Sequence, residues 1–478
     1  MFKNKTFKNS LYSALYQILI LFVPLATTPY VTRIFTVEQL GIYAASLALV
    51  SFFVILASFG LPLYGSREIA KCNNNNRQLL FTQFFFFQII TSVISFFLYL
   101  ITLQFIGANK FYYLQSFLII VNILDVSWFF IGIEEIKRTL LRNFLSRLFI
   151  LITIFIFVKS TSDLDKYIFL NVLGTLIGNI TMILQLKKFL KGPIVLKFIN
   201  YSSVLECFNL FIPQILSSSK NTFDRLILLY ITGNNSYVGL YDQSKKLINI
   251  IVSISNSATT AILPKMTSLN AQNKNNQFYL VIDKVLPILG IFSVFLTSGL
   301  FINADLFVSL FFGSEFLQVS TILKYMSVTL LVIPLNYFIY NAILLPISED
   351  NTYRNILTLN FIVIIVGNFI LDFKFGVIGA TISFIFSEYL SIMYCIHKLR
   401  IKHLKKKILL YVVLCVADSF FTIYSFQKIL ALLGLNFYGS FGLLVQILLT
   451  TIFFIIVHLF YILILVLVKK VKFYRRNR

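Results

Sequence analysis

Apolar runs of about 20 residues recur along the whole chain, separated by short polar segments. A helix that crosses a bilayer needs about 20 mostly apolar residues. On that measure the pattern predicts about fourteen transmembrane helices. They fall near 11–32, 40–61, 80–106, 112–133, 141–158, 167–186, 204–231, 238–263, 285–303, 320–345, 355–373, 376–396, 408–427 and 440–468. The fold class that follows is an all-α polytopic membrane protein. The first run, Leu11–Tyr30, is full length and has no small-residue cleavage site after it, so it reads as a retained span. The pair 204–231 and 238–263 is the least apolar. The segment 304–319 is amphipathic and reads as a stretch lying at the outer interface.

Composition agrees with lipid as the solvent. The 478 residues are 58% hydrophobic and 12% charged, with mean hydropathy +0.86, whereas a soluble domain carries roughly 25% charged residues. A net charge of +23 would suggest nucleic acid in a soluble protein. Here there is too little soluble surface for that, and cationic loops belong on the cytoplasmic face. With a cytoplasmic N-terminus, the inner segments hold 30 Lys and Arg against 7 in the outer ones. This bias predicts that both termini are cytoplasmic.

Catalytic and metal chemistry find little support. Cys72, Cys207, Cys395 and Cys415 form no CxxC pair, and His397, His403 and His458 are scattered, so no metal site, disulfide framework or cofactor is expected. A Walker A motif is absent. Asp163-Leu164-Asp165 is formally a DxD triplet, as used by metal-dependent sugar transferases, but its expected place is a solvated outer loop. Glu134, Glu135, Lys137 and Arg138 close the fourth span as a solvated network, with Trp128 read as an interfacial anchor. Glu388 and Asp418 sit in apolar spans with no sequence-local partner, and each could be protonated or bind a coupling ion.

One stretch recurs. Leu40-Gly41-Ile42-Tyr43-Ala44-Ala45-Ser46 matches Val238-Gly239-Leu240-Tyr241-Asp242-Gln243-Ser244 at an offset of 198 residues, each opening an even-numbered span. At the same offset Arg67 falls on Lys265. A duplication of six spans gives repeats of the same orientation, hence two lobes around a central cavity. The expected division is 1–200 for the first six-helix lobe, 201–400 for the second, and 401–478 for two appended helices with a basic cytoplasmic tail. Charges within spans mark a pathway or a pairing. Lys220 and Asp224 are i,i+4 neighbours in span 7, and Asp242 stands i,i+3 and i,i+4 from Lys245 and Lys246 in span 8. With Arg225, the two spans keep more cations than anions, which a buried anionic ligand would answer. The bland alternatives are a structural Lys220–Asp224 pair and Lys245 and Lys246 snorkelling to the interface. Arg33 ends span 1 on the outer side, as a headgroup contact or Glu38 partner, or as a cationic lip on the cavity. Arg67 lies at an inner end, where cations are ordinary.

Several of these segments resemble the Wzx-type polysaccharide flippases. They are Pro29-Tyr30-Val31-Thr32-Arg33-Ile34-Phe35 with Val37-Glu38-Gln39-Leu40-Gly41-Ile42-Tyr43, Gly65-Ser66-Arg67-Glu68-Ile69-Ala70, Asp125-Val126-Ser127-Trp128-Phe129-Phe130-Ile131-Gly132-Ile133-Glu134-Glu135, and Asp224-Arg225-Leu226-Ile227-Leu228 followed by Val238-Gly239-Leu240-Tyr241. Thr36 departs from the family, where many relatives have Gly. The family belongs to the multidrug/oligosaccharidyl-lipid/polysaccharide exporter superfamily, beside the MATE exporters and the lipid II flippase MurJ. The resemblance implies two six-helix lobes plus two helices. It also implies flipping of an undecaprenyl-pyrophosphate-linked oligosaccharide from the cytoplasmic to the outer leaflet of the bacterial plasma membrane, for a cell-surface polysaccharide such as a capsule, O-antigen, teichuronic acid or exopolysaccharide. Membrane lipids, a polysaccharide polymerase and glycosyltransferases are the implied partners. Cavity-lining cations meet the pyrophosphate or acidic sugars in the family, which points to Arg33, Arg67 and Arg225. From the charges themselves, Lys220, Lys245 and Lys246 join them as substrate-binding candidates, with Asp224 and Asp242 as coupling or orienting acids. Energy would come from H+, Na+ or the membrane potential. A MATE-like small-molecule exporter is the alternative, and it expects an acidic rather than a basic cavity.

Overall fold

The computed structural model describes residues 22–190, 199–219, 222–399, 402–435 and 437–476. Among them the chain is helical, with no strand. Twelve stretches are long and apolar enough to cross a membrane. The other two of the expected fourteen are the first and the seventh. The first is described only from residue 22, as α1 over 22–31. In the seventh, the described residues form two helices, α9 (Tyr201–Ser219) and α10 (Phe223–Thr232), with residues 220 and 221 between them outside the described residues. Asp224 stands in the first turn of α10, where the helix dipole favours an anion. A ten-residue helix rises only about 15 Å, half the hydrocarbon thickness.

The chain divides into two compact units, Met1–Asp242 and Gln243–Arg478. In the first, α2 (Val37–Ser58) and α3 (Leu61–Lys71) form one bent span. Thr36 caps α2 through a reciprocal pair with Gln39: Gln39 N–H donates to Thr36 Oγ1 at 3.3 Å and Thr36 N–H to Gln39 Oε1 at 3.1 Å. The residue that departs from the family pattern therefore has a local role. The bend lies at Phe59 and Gly60, with φ of 41° and 76°, and Pro62 restarts the helix in the first turn of α3. A Cβ on Gly60 would sit 2.1 Å from the Cys207 carbonyl oxygen of α9, so only glycine fits there. Behind these helices come α4 (Asn74–Phe105), α5 (Lys110–Asn122), α6 (Ser127–Gly132), α7 (Ile136–Phe157) and α8 (Leu164–Leu186). Helix α2 packs on α4 and α5, α7 on α8, and α10 on α2.

The break between α5 and α6 explains the Asp125–Glu135 motif. Gln88 of α4 donates its amide to the carbonyls of Asn122 (2.6 Å) and Asp125 (3.0 Å) and accepts the Trp128 indole N–H at 2.9 Å. Arg142 of α7 donates to Asp125 Oδ1 (2.7 Å) and Asn179 Oδ1 (3.1 Å). Trp128, Phe129 and Phe130 are buried in one aromatic cluster with Phe81 and Phe84. Trp128 is thus a core residue, only 1% exposed, rather than an interfacial anchor. The indole N–H, which sequence assigns to the headgroup region, instead satisfies a buried glutamine.

The second unit holds most of α11 (Asn235–Ala271), then α12 (Asn275–Phe311), α13 (Gln318–Ser327), α14 (Ile333–Phe338), α15 (Asp350–Phe375), α16 (Val377–Lys398), α17 (Lys402–Leu433) and α18 (Gly439–Arg476). A π-helical turn, Ile339–Leu344, follows α14. Helices α15 and α16 cross closely enough that a Cβ on Gly379 would meet the Leu371 carbonyl at 2.3 Å. Both α17 and α18 pack on α12. Here too one expectation is corrected. The amphipathic 304–319 segment is no separate interfacial stretch, because α12 runs to Phe311 and a short 3-10 turn, Ser314–Phe316, leads into α13. Its apolar stripe, Ala304, Val308, Phe312 and Phe316, is buried in protein. A stripe that seeks lipid and one that seeks a neighbouring helix have the same period.

Candidate functional site

The repeated motif comes together in space, within the first unit. A Cβ on Gly41 would lie 1.8 Å from the Asn235 carbonyl oxygen, and one on Gly239 would lie 2.2 Å from the Val37 carbonyl oxygen. Asn235 follows Val37, and Gly239 follows Gly41, by the same 198 residues. Each copy therefore touches the other through equivalent atoms, the reciprocal contact that a local two-fold axis produces. The N-terminal ends of α2 and α11 approach backbone to backbone because both carry glycine at the crossing. Two residues further on, Tyr43 and Tyr241 are again equivalent, and both are buried.

Around this crossing lie the intramembrane charges. Asp224 and Asp242 are each 1% exposed. The Tyr241 hydroxyl donates to Asp224 Oδ2 at 2.9 Å, and the Arg225 main-chain N–H donates to Asp224 Oδ1 at 2.8 Å. Arg225 Nη2 meets Asp242 Oδ1 at 3.0 Å, in a pair with side chains only 14% and 2% exposed. Tyr43 hydrogen-bonds Tyr167 of α8 and lies in the fields of Asp242 and Arg225; the two rings meet edge-on at 4.8 Å. Four helices, α2, α8, α10 and α11, thus contribute to one buried polar cluster. Taking two charges out of water is costly, and their attraction offsets this only with good geometry and further hydrogen bonds. The Tyr241 hydroxyl supplies such a bond to Asp224, the acid next to Arg225 in the chain.

The predicted residues separate on this geometry. Asp224, Arg225 and Asp242 are brought together. Arg33 donates to the Pro29 carbonyl at 2.8 Å, closing the end of α1. Arg67 lies 3.2 Å from Glu68 and also pairs with Glu206, with its side chain 45% exposed. Lys245 belongs to the second unit, is fully buried, and stands 4.7 Å over the Phe384 ring. Lys246 is half-buried. Lys220 lies outside the described residues. The residues that sequence missed are the tyrosines Tyr43, Tyr167 and Tyr241. The signal for two of them was present, since Tyr43 and Tyr241 are the tyrosines of the repeat.

Two of the remaining acids in spans, Glu388 and Asp418, meet partners on other helices. Asn336 donates to Glu388 Oε2 (3.3 Å) and to its carbonyl (3.1 Å). Asp372 of α15 is buried, with Asn368 one turn before it. Asp418 meets His458 at 3.0 Å. The Asp163-Leu164-Asp165 triplet is occupied by structure. Asp163 accepts N–H groups from Lys159 and Ser160, each at 2.9 Å, and pairs with Lys166 at 2.7 Å, while Asp165 pairs with Lys110 at 3.0 Å. Among the described residues no group of three His, Cys, Asp or Glu could hold a metal. What the buried cluster offers chemically is exchange of ionic partners.

The polysaccharide biosynthesis protein family model matches residues 6–270. A protein of Escherichia coli strain K12 named an O-antigen transporter is 26% identical over 389 residues, covering 80% of this chain and 93% of that protein. Among solved structures, the lipid II flippase MurJ in an inward closed conformation is similar with a TM-score of 0.74 at 14% identity, covering 96% of this chain and all of that one. An inward-facing multidrug resistance MATE family transporter of the MOP superfamily follows at 0.62 and 16%, covering 84% of this chain and 95% of that one. At such identities the likeness establishes the fold: a helical membrane fold shared by MurJ and the MATE transporters.

Proposed function

The chain belongs to the polysaccharide biosynthesis protein family, and on that premise we propose that it is a flippase for a lipid-linked polysaccharide precursor. In this reading it moves an undecaprenyl-pyrophosphate-linked oligosaccharide from the cytoplasmic to the outer leaflet of the plasma membrane by alternating access. It makes and breaks no covalent bond. The observation that carries the reading is the Arg225–Asp242 pair, buried among spans of a chain from this family. A guanidinium presents a planar fork of donors suited to phosphate oxygens. Exchange of Asp242 for a pyrophosphate would keep Arg225 paired throughout, and Asp242 would then be neutralised by a proton or by a cation moving the other way. Lys245, Lys246, Lys220, Arg33 and Arg67 are held in reserve as further contacts along the path.

Energy coupling belongs to the proposal. Moving one negative charge outward from a negative interior gains about 2.3 kcal/mol per 100 mV. A proton or sodium ion taken by an intramembrane acid would add to this or replace it. A polysaccharide polymerase acting on the outer leaflet would consume the product, and glycosyltransferases on the inner side would supply the substrate.

Glycolipid leaflet distribution in cells lacking the protein tests the reading. The expected result is accumulation on the cytoplasmic leaflet, relieved by the wild type and not by Arg225→Ala. A changed efflux of small cationic drugs, with no glycolipid accumulation, would instead favour the MATE-like exporter, whose fold this chain shares.

A further inference from the structure

Helices α17 and α18 each carry one charged or imidazole side chain in their apolar stretch: Asp418 between Lys407 and Lys428, and His458 between Gly439 and Lys469. Both stand near the middle of their helix. An ionisable group at that depth is costly unless paired, and such groups recur in proton relays. Forty residues apart in sequence, these two meet, with His458 Nε2 3.0 Å from Asp418 Oδ2. The other ring nitrogen, Nδ1, lies 2.9 Å from the Phe454 carbonyl oxygen. The imidazole side chain is 10% exposed and stacks on Phe454 at 3.8 Å, which itself packs on Phe295 of α12.

The donors and acceptors fix the protonation of the pair. A main-chain carbonyl only accepts, so Nδ1 carries a hydrogen. The second contact then needs a proton between Nε2 and Oδ2. It rides either on the imidazole, facing a carboxylate, or on the carboxyl, facing a neutral imidazole. In both forms the pair is neutral overall and holds one proton on that axis. Without it, a carboxylate would face the Nε2 lone pair in the membrane interior, and the contact between α17 and α18 would repel.

We propose that Asp418 and His458 form a proton-binding site between α17 and α18, and that its occupancy sets whether these two helices stay joined at mid-membrane. The ligand is a single proton. The titratable neighbours are few. Cys415 stands one turn before Asp418 on α17, opposite Gly290 of α12, and Tyr389 of α16 is committed to the Val328 carbonyl at 3.1 Å. On α12 the nearest acid, Asp283, pairs with Lys407 at 2.5 Å, about three turns from Asp418 along α17. Among the described residues no charged side chain of α12 or α16 bonds to the pair. The site does not depend on which molecule is flipped. Its link to transport rests on the flippase reading above.

The test uses the full chain in lipid nanodiscs with isotope-labelled histidine, the His458 signals being assigned by their loss in His458→Gln. In the wild type, His458 is expected to keep Nδ1 protonated; a ring protonated on Nε2 alone would overturn the proposal without any variant. In Asp418→Asn the proton dissociation constant of His458 is expected to change about tenfold or more, to be restored by Asp418→Glu, and to leave His397 and His403 unmoved. An unchanged His458 titration in Asp418→Asn would overturn the proposal. Glycolipid transfer by proteoliposomes across pH supplies the second readout. Asp418→Asn and His458→Gln should lose the same limb of the pH profile, and the double variant should match either single one. Wild-type limbs kept in both variants would remove the link to transport. Absence of transfer by the wild type, with the histidine titration as expected, would sink the flippase reading and leave the proton site standing.

Discussion

Two polar networks in the first unit look alike in sequence and differ in setting. The first joins Gln88, Asp125, Trp128, Arg142 and Asn179 across α4 to α8. It ties loop carbonyls, an indole, an amide and the Arg142–Asp125 ion pair into a fixed break between α5 and α6. The second joins Tyr43, Tyr167, Asp224, Arg225, Tyr241 and Asp242 across α2, α8, α10 and α11. Its centre is an ion pair between side chains of two helices, a bond whose partners can be exchanged for other ions. A conspicuous motif therefore does not by itself mark function. Both networks hold an ion pair, and setting separates them: the Asp125 side chain is 30% exposed in the break between α5 and α6, whereas that of Asp242 is 2% exposed within α11.

The largest effect of a substitution is expected at the helix crossing beneath the second network. Gly41→Val puts side-chain atoms where a Cβ alone already falls 1.8 Å from a carbonyl oxygen, so no folded protein should be recovered in detergent by size-exclusion chromatography. Next is Asp242→Ala, which leaves Arg225 buried without its ion partner and should cost about 3–5 kcal/mol in unfolding measurements. The double variant Arg225→Ala/Asp242→Ala should regain much of that stability and still fail to transport. Full activity in the double variant would place this network with the structural one. Trp128→Phe is smaller, about 1–3 kcal/mol from the unpaired Gln88 oxygen, with transport per folded molecule unchanged. Smallest is Arg67→Ala, whose exposed pairs are worth under about 1 kcal/mol; a large loss of transport at unchanged stability would move Arg67 from salt bridge to substrate contact.

The helical membrane fold was legible in the chain because lipid imposes one length and one polarity on every span. The repeat was legible too, and its glycines and tyrosines proved to be the residues at the crossing. What escaped was pairing between helices. Local spacing offered Asp242 to Lys245 or Lys246, whereas the fold also brings it Arg225 from α10. Asp418 had no neighbour in sequence, and its partner lies 40 residues away on α18. Trp128 misled for a related reason. Its place at the end of a hydrophobic run fits an interface, and only the position of Gln88, 40 residues earlier, shows that it is buried.

The most direct test of the central claim is transfer of undecaprenyl-pyrophosphate-linked oligosaccharide between leaflets of proteoliposomes under an imposed potential. Wild type would be compared with the folded Arg225→Ala/Asp242→Ala double variant. Potential-dependent transfer is expected from the wild type, and none above protein-free vesicles from the double variant. Equal rates in the two would contradict the claim, because the buried pair would then have no part in moving the pyrophosphate.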